Sequence, residues 1–82
     1  MNKKRRAKIL NVIEQLTIEL TRLEQIRDTV QDILDEETEA FDNMPEGLQE
    51  SYNGQISQEA QESMESAIDS LDEAISSLEE VL

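Results

Sequence analysis

Eighty-two residues with no cysteine and no histidine allow one small domain, and they exclude a disulfide scaffold, thiolate metal sites and catalysis through imidazole or thiol. One Phe, one Tyr and no Trp leave burial to Leu, Ile, Val, Met and Ala, which suits helix packed on helix better than a sheet sandwich. The net charge of -13 is uneven: all seven Lys and Arg lie at or before Arg27, and seventeen Asp and Glu follow from Asp28 onward, so most of the surface repels phosphate backbones and anionic lipid.

The chain opens with MNKKRRAKILNVIEQL. Lys3, Lys4, Arg5, Arg6 and Lys8 start like the charged region of a signal peptide, but Asn11, Glu14 and Gln15 interrupt the apolar stretch that export needs, so the segment is expected to be retained. No run approaches the roughly 18 apolar residues of a membrane span, and no membrane partner is expected. The same five cations, followed by Ile9, Leu10, Val12, Ile13 and Leu16, resemble a basic amphipathic helix and are a possible contact for phosphate, nucleotide or lipid anions. No aromatic residue lies among them to stack a base, and pairing with carboxylates of another subunit, or a simple solubilising terminus, is the preferred reading.

Apolar residues then recur as Ile9, Ile13, Leu16, Leu20, Leu23, Val30 and Leu34, at steps of four and three, and Phe41 returns to phase. This is the seam of a coiled-coil-like helix, predicted over 4–43. Val12, Ile26, Ile33 and Ala40 add a flanking row at sevenfold spacing, broken by Glu19, which makes the stripe wide enough for more than one partner helix. Arg27 stands on the seam itself. Its stem can pack while its guanidinium reaches an acidic neighbour on the second helix, such as Asp72, and so sets register; the alternative is an anion contact within an oligomer. The acidic run Asp35, Glu36, Glu37, Glu39 and Asp42 has neither the spacing nor the glycine of a calcium loop and reads as a solvated face, so no metal or cofactor is expected.

The connection, 44–56, holds the only proline and both glycines. Pro45 should end the long helix and open a brief turn, Asn53-Gly54 reads as a second turn, and Ser57 is a candidate cap for the second helix. Phe41, Met44, Leu48, Tyr52 and Ile56 are expected to fold over this end of the hairpin as a hydrophobic plug. The second helix, 57–82, repeats the seam as Met64, Ile68, Leu71, Ile75, Leu78 and Leu82, flanked by Ala60, Ala67, Ala74 and Val81.

The fold class that follows is all-α: an unequal antiparallel helical hairpin, one domain over 1–82, assembling into a dimeric or higher helical bundle. Helices of about 60 and 40 Å cannot match end to end. With Asn43 opposite Ser57, Ile9, Val12, Ile13 and Leu16 have no internal partner, and leaving each exposed forgoes about 1.5 to 3 kcal/mol. These four are therefore the candidate oligomer interface, with a homo-oligomer as the expected state. Catalysis finds no support, because two helices offer little concavity to shelter a reacting group. Carboxylates on a rigid helix, here Asp69, Asp72, Glu73, Glu79 and Glu80, can imitate a phosphate backbone and form a candidate partner-binding face; direct nucleic-acid binding is not favoured.

The stretch FDNMPEGLQ at 41–49, followed by Ser51 and Gly54 and then by AIDSLDEAISSLEE, resembles small acidic helical proteins encoded by bacteriophages and prophages. The likeness spans residues 9–82. It implies a phage accessory product in the cytoplasm of a bacterial host, a setting in which such products antagonise host enzymes or defence systems through protein contact, and it transfers no catalytic or ligand-binding residue. The function expected is a non-enzymatic protein that binds a bacterial protein, with a defence system as a candidate target, through its acidic surface or its connection. Two alternatives are a self-assembling structural protein and an oligomeric sponge for anionic nucleotide signals.

Overall fold

Two long heptad stripes separated by one proline dictate the architecture, because each helix can hide its stripe only against the other. The computed structural model describes residues 2–81, as a rod of 66 × 16 × 15 Å. Helix α1 spans Lys3–Asp42, the single-turn α2 spans Glu46–Gln49, and α3 spans Tyr52–Val81. Antiparallel packing of α1 on α3 makes the hairpin, and α2 rests on the start of α3 at the tip. Leu82, the expected last seam residue, lies outside the described residues.

Helix α1 starts at Lys3 because Asn2 caps it: the Asn2 side-chain oxygen accepts the Arg5 N–H at 2.8 Å. It stops where proline forbids continuation. Met44, the residue before Pro45, leaves helical geometry and donates its N–H back to the Phe41 carbonyl at 3.0 Å. Pro45 then initiates α2, its carbonyl accepting the N–H groups of Leu48 and Gln49 at 2.8 and 3.1 Å.

The second long helix begins at Tyr52, five residues before the expected cap at Ser57. Ser51 takes the capping position, its hydroxyl accepting the Gly54 N–H at 3.3 Å and donating to the Leu48 carbonyl. The expected Asn53-Gly54 turn is therefore absent, and Gly54 is a buried helical residue without positive φ. Its glycine answers a different need. A Cβ at this position would lie 2.1 Å from the Gln49 carbonyl oxygen and 2.7 Å from that of Leu48, so only hydrogen lets the α2 backbone lie against α3.

Cross-helix contacts set the register. Glu37 meets Ser57, Thr38 meets Gln61 and Arg27 meets Asp72, while Val12, Ile13 and Val81 line one hollow at the open end. Leu20 and Leu34 of α1 and Ile68 and Ile75 of α3 form the buried core, all from the seams. Leu16, Leu23, Val30, Leu71 and Leu78 are half-buried beside them. Four buried aliphatic residues are a thin core for such a chain, and large side chains beside the seam stay in water.

Candidate functional site

In an antiparallel pair, a pseudo-twofold axis perpendicular to the hairpin plane relates one helix to the other and keeps equivalent flanking rows on one face. The row Val12, Glu19, Ile26, Ile33, Ala40 of α1 thus lies beside the row Ala60, Ala67, Ala74, Val81 of α3, as the shared hollow of Val12 and Val81 reflects. This face is apolar and open to solvent, Ile26 being 52% and Ile33 48% exposed. The other face is polar apart from exposed Leu10 near the open end. Thr38 and Asp72, from the opposite flanking rows, bond across to Gln61 and Arg27, and Glu24, Gln31, Glu65 and Glu79 share their positions in the heptad.

Carboxylates concentrate toward the tip. From Asp28, which is counted, to its opposite number Leu71 there are thirteen Asp and Glu and no Lys or Arg. This part of the rod is about 28 Å long, so its negative charges fall roughly every 2 Å, close to the one per about 1.7 Å of duplex DNA. The five residues Asp69, Asp72, Glu73, Glu79 and Glu80 are all exposed, but only Asp69 belongs to this dense half; the other four extend toward the open end. Among the described residues no three acidic side chains converge as a metal site.

Arg27 is committed to carboxylates on both helices. Its Nη1 donates to Asp72 at 3.1 Å, and its Nη2 and Nε donate to Asp28 at 3.2 and 3.3 Å. The bond to Asp72, then that to Asp28, raise the guanidinium above its ordinary pKa, against a smaller opposing effect of desolvation. An arginine held this way ties α1 to α3 and has fewer donors left for a foreign anion.

At the open end, Lys3, Lys4, Arg5, Arg6 and Lys8 are exposed and none forms an ion pair among the described residues. Arg5 and Lys8 rim a hollow of about 260 Å³ walled by Ile9, Val12, Ile13 and Val81. Of the four residues expected to lack an internal partner, Ile9 and Val12 are exposed, but Ile13 and Leu16 are half-buried. The correction follows from α3: starting at Tyr52 and keeping the observed register, it reaches farther along α1 than a helix paired Ser57 to Asn43 would.

The tip departs from the expected plug. Phe41 and Met44 are half-buried, but Leu48, Tyr52 and Ile56 face solvent, with Tyr52 76% exposed. Continuation of α3 through Asn53 and Gly54 leaves Tyr52 and Ile56 on its outer side, while Leu48 is exposed on α2. Closure is instead polar: the Gln49 amide donates to the Phe41 carbonyl at 3.0 Å and the Met44 carbonyl at 3.3 Å, satisfying the end of α1.

Sequence reasoning also missed a polar layer in the seam. Ser57, which is buried, donates to Glu37 at 2.5 Å and accepts from Gln61 at 3.3 Å, and Thr38 donates to Gln61 at 3.2 Å. The signal was present: Glu37 falls between Leu34 and Phe41 in phase, and Ser57 and Gln61 extend the second seam backward from Met64.

Compared with known proteins, the chain matches no family model, no characterised protein and no solved structure. The function must therefore be argued from its own surfaces.

Proposed function

We propose that this is a non-enzymatic interaction protein whose acidic tip half occupies the nucleic-acid-binding surface of another protein. The observation that supports it is the charge spacing: thirteen carboxylates with no intervening cation give a rod of about the width and linear charge of a nucleic-acid helix. A groove lined with Lys and Arg would be attracted at long range and paired at contact, while a target lacking such a groove would gain nothing. The likeness to phage and prophage proteins makes a bacterial host protein, such as a defence nuclease, the proposed target. The nucleotide-sponge reading has less support, because the hollow beside Arg5 and Lys8 is walled by aliphatic side chains with no ring to stack a base.

Immobilised intact chain, incubated with bacterial lysate at low ionic strength, tests the proposal. Nucleic-acid-binding proteins should be retained and should elute both with about 0.5 M salt, where the screening length falls to a few ångströms, and with duplex DNA. Changing Asp32, Asp35, Glu36, Glu39, Glu62 and Glu65 to their amides should abolish retention while helicity persists. Changing Asp69, Asp72, Glu73, Glu79 and Glu80 should weaken it less, since four of them lie outside the dense half. Retention that survives salt, DNA competition and the six-residue variant would sink the proposal.

A further inference from the structure

We infer that the apolar face is covered by a second copy of this chain, turned end for end, so that the tip of each protomer seats against the basic open end of the other. The inference goes beyond the proposed function by naming what covers the apolar face; the two share only Asp42, Glu46 and Glu50 at the tip.

The flanking row supplies the symmetry. Val12, Glu19, Ile26, Ile33 and Ala40 are evenly spaced about Ile26. A twofold axis through Ile26 and across the rod therefore sets Ile26 against Ile26 of the partner subunit, and Val12 against Ala40 of the partner subunit. The same operation brings Lys3 to Lys8 alongside residues 44–49 of the other copy. There the surfaces are complementary. The hollow is apolar with a rim of Arg5 and Lys8, and the opposing tip carries exposed Leu48 among Asp42, Glu46 and Glu50.

Charge also chooses between the two ways of stacking the faces. Turning the second copy about the long axis would align basic end with basic end and acidic tip with acidic tip, whereas the end-for-end arrangement pairs opposites at both ends. Size is adequate. A strip about 40 Å long and 16 Å wide covers on the order of 600 Å² on each protomer, above the roughly 1,000 Å² total at which a specific interface becomes credible. Glu19 is the one misfit in the row. It is exposed and held by Arg22 at 3.2 Å, which leaves it at the edge of the interface facing Ile33 of the partner subunit.

Because the chain has no cysteine, single cysteines report the arrangement directly. Sedimentation equilibrium of the intact chain should give twice the 9.4 kDa chain mass. Under mild oxidation, Ile26→Cys should form a homodisulfide, and a mixture of Val12→Cys and Ala40→Cys should form the mixed dimer in preference to either homodimer. Ile26→Asp, at a position exposed in the single hairpin, should keep its helicity and raise the dimer dissociation constant by about a hundredfold or more. Glu19→Leu should lower it. A monomer at high concentration would overturn the inference, as would a dimer that cross-links Val12→Cys to itself. The proposed function is read separately, from partner retention by both the intact chain and Ile26→Asp: a monomer that still yields its partner to DNA would remove this inference alone, and a dimer that retains nothing, with Ile26→Asp retaining nothing either, would remove the other alone.

Discussion

The two ends of the rod are made of different residue types, carboxylates, both glycines and the proline at the tip against five cations and aliphatic side chains at the open end, and they solve opposite problems. At the tip, Gly54, Gln49 and Ser51 close the chain by backbone contact and hydrogen bonds, and apolar burial there is limited to Phe41 and Met44. At the open end the backbone is a plain helix, and what matters is what the shorter α3 leaves uncovered: Ile9, Val12 and five cations. The tip is therefore specified by atoms that permit no enlargement, the open end by surfaces that invite addition. Substitutions should separate the two, the tip losing stability and the open end losing association.

The largest effect is expected from Gly54→Ala. A methyl group 2.1 Å from a backbone oxygen cannot be accommodated without moving α2, and a loss of about 3 kcal/mol or more should appear as a large fall in Tm. Gly47→Ala is its internal control. That Cβ would meet nothing within 4 Å, so the change should be neutral or mildly stabilising by the better helix propensity of alanine. Equal losses at the two glycines would show that α2 is not packed on α3 as described.

Phe41→Ala comes next, with an expected loss of about 2 to 3 kcal/mol, toward the low end for a phenylalanine because the ring is only half-buried. Leu48→Ala, a few residues away but exposed, should change chemical-denaturation stability by no more than about 0.5 kcal/mol. If Leu48→Ala proved the costlier change, the expected plug would have to be restored.

A smaller effect is expected in the polar layer. Ser57→Ala removes the hydroxyl that donates to Glu37 and should cost about 1 to 2 kcal/mol, whereas Glu37→Leu combined with Ser57→Ala should recover that loss or exceed it, since both partners are then apolar. A double variant no more stable than the single one would mean that Gln61 and Thr38 also depend on Glu37 for their geometry.

The smallest change in stability belongs to the open end. Converting Lys3, Lys4, Arg5, Arg6 and Lys8 to Gln should leave the unfolding of a dilute sample almost unmoved, because these side chains are exposed and form no ion pair among the described residues. Association at low salt should weaken nonetheless, and the difference from the intact chain should vanish at high salt. A marked fall in Tm on dilution-independent melting would break the comparison between the ends.

Much of this molecule was written in local periodicity. Heptad steps in α1 and α3 made the seams, the helix types and the unequal hairpin legible, because side-chain period depends only on helical geometry and not on what lies across the interface. The approach of Arg27 to Asp72 was legible for the same reason: a charge on a seam must find an opposite charge at its own level. Other features depended on three-dimensional proximity. Asn53-Gly54 carries the same letters whether glycine supplies a turn or a close approach, and only the position of the Gln49 carbonyl decides between them. Ser57 is an equally good cap or seam donor until α3 is seen to begin at Tyr52. Whether Leu48 and Tyr52 plug the hairpin or face water turns on the path of two residues, Glu50 and Ser51. Periodicity assigns each residue to a stripe of its own helix, but which stripes share a face is decided by how the two helices pair, and that pairing leaves Ile26 and Ile33 in water on one face and the carboxylates of α3 on the other.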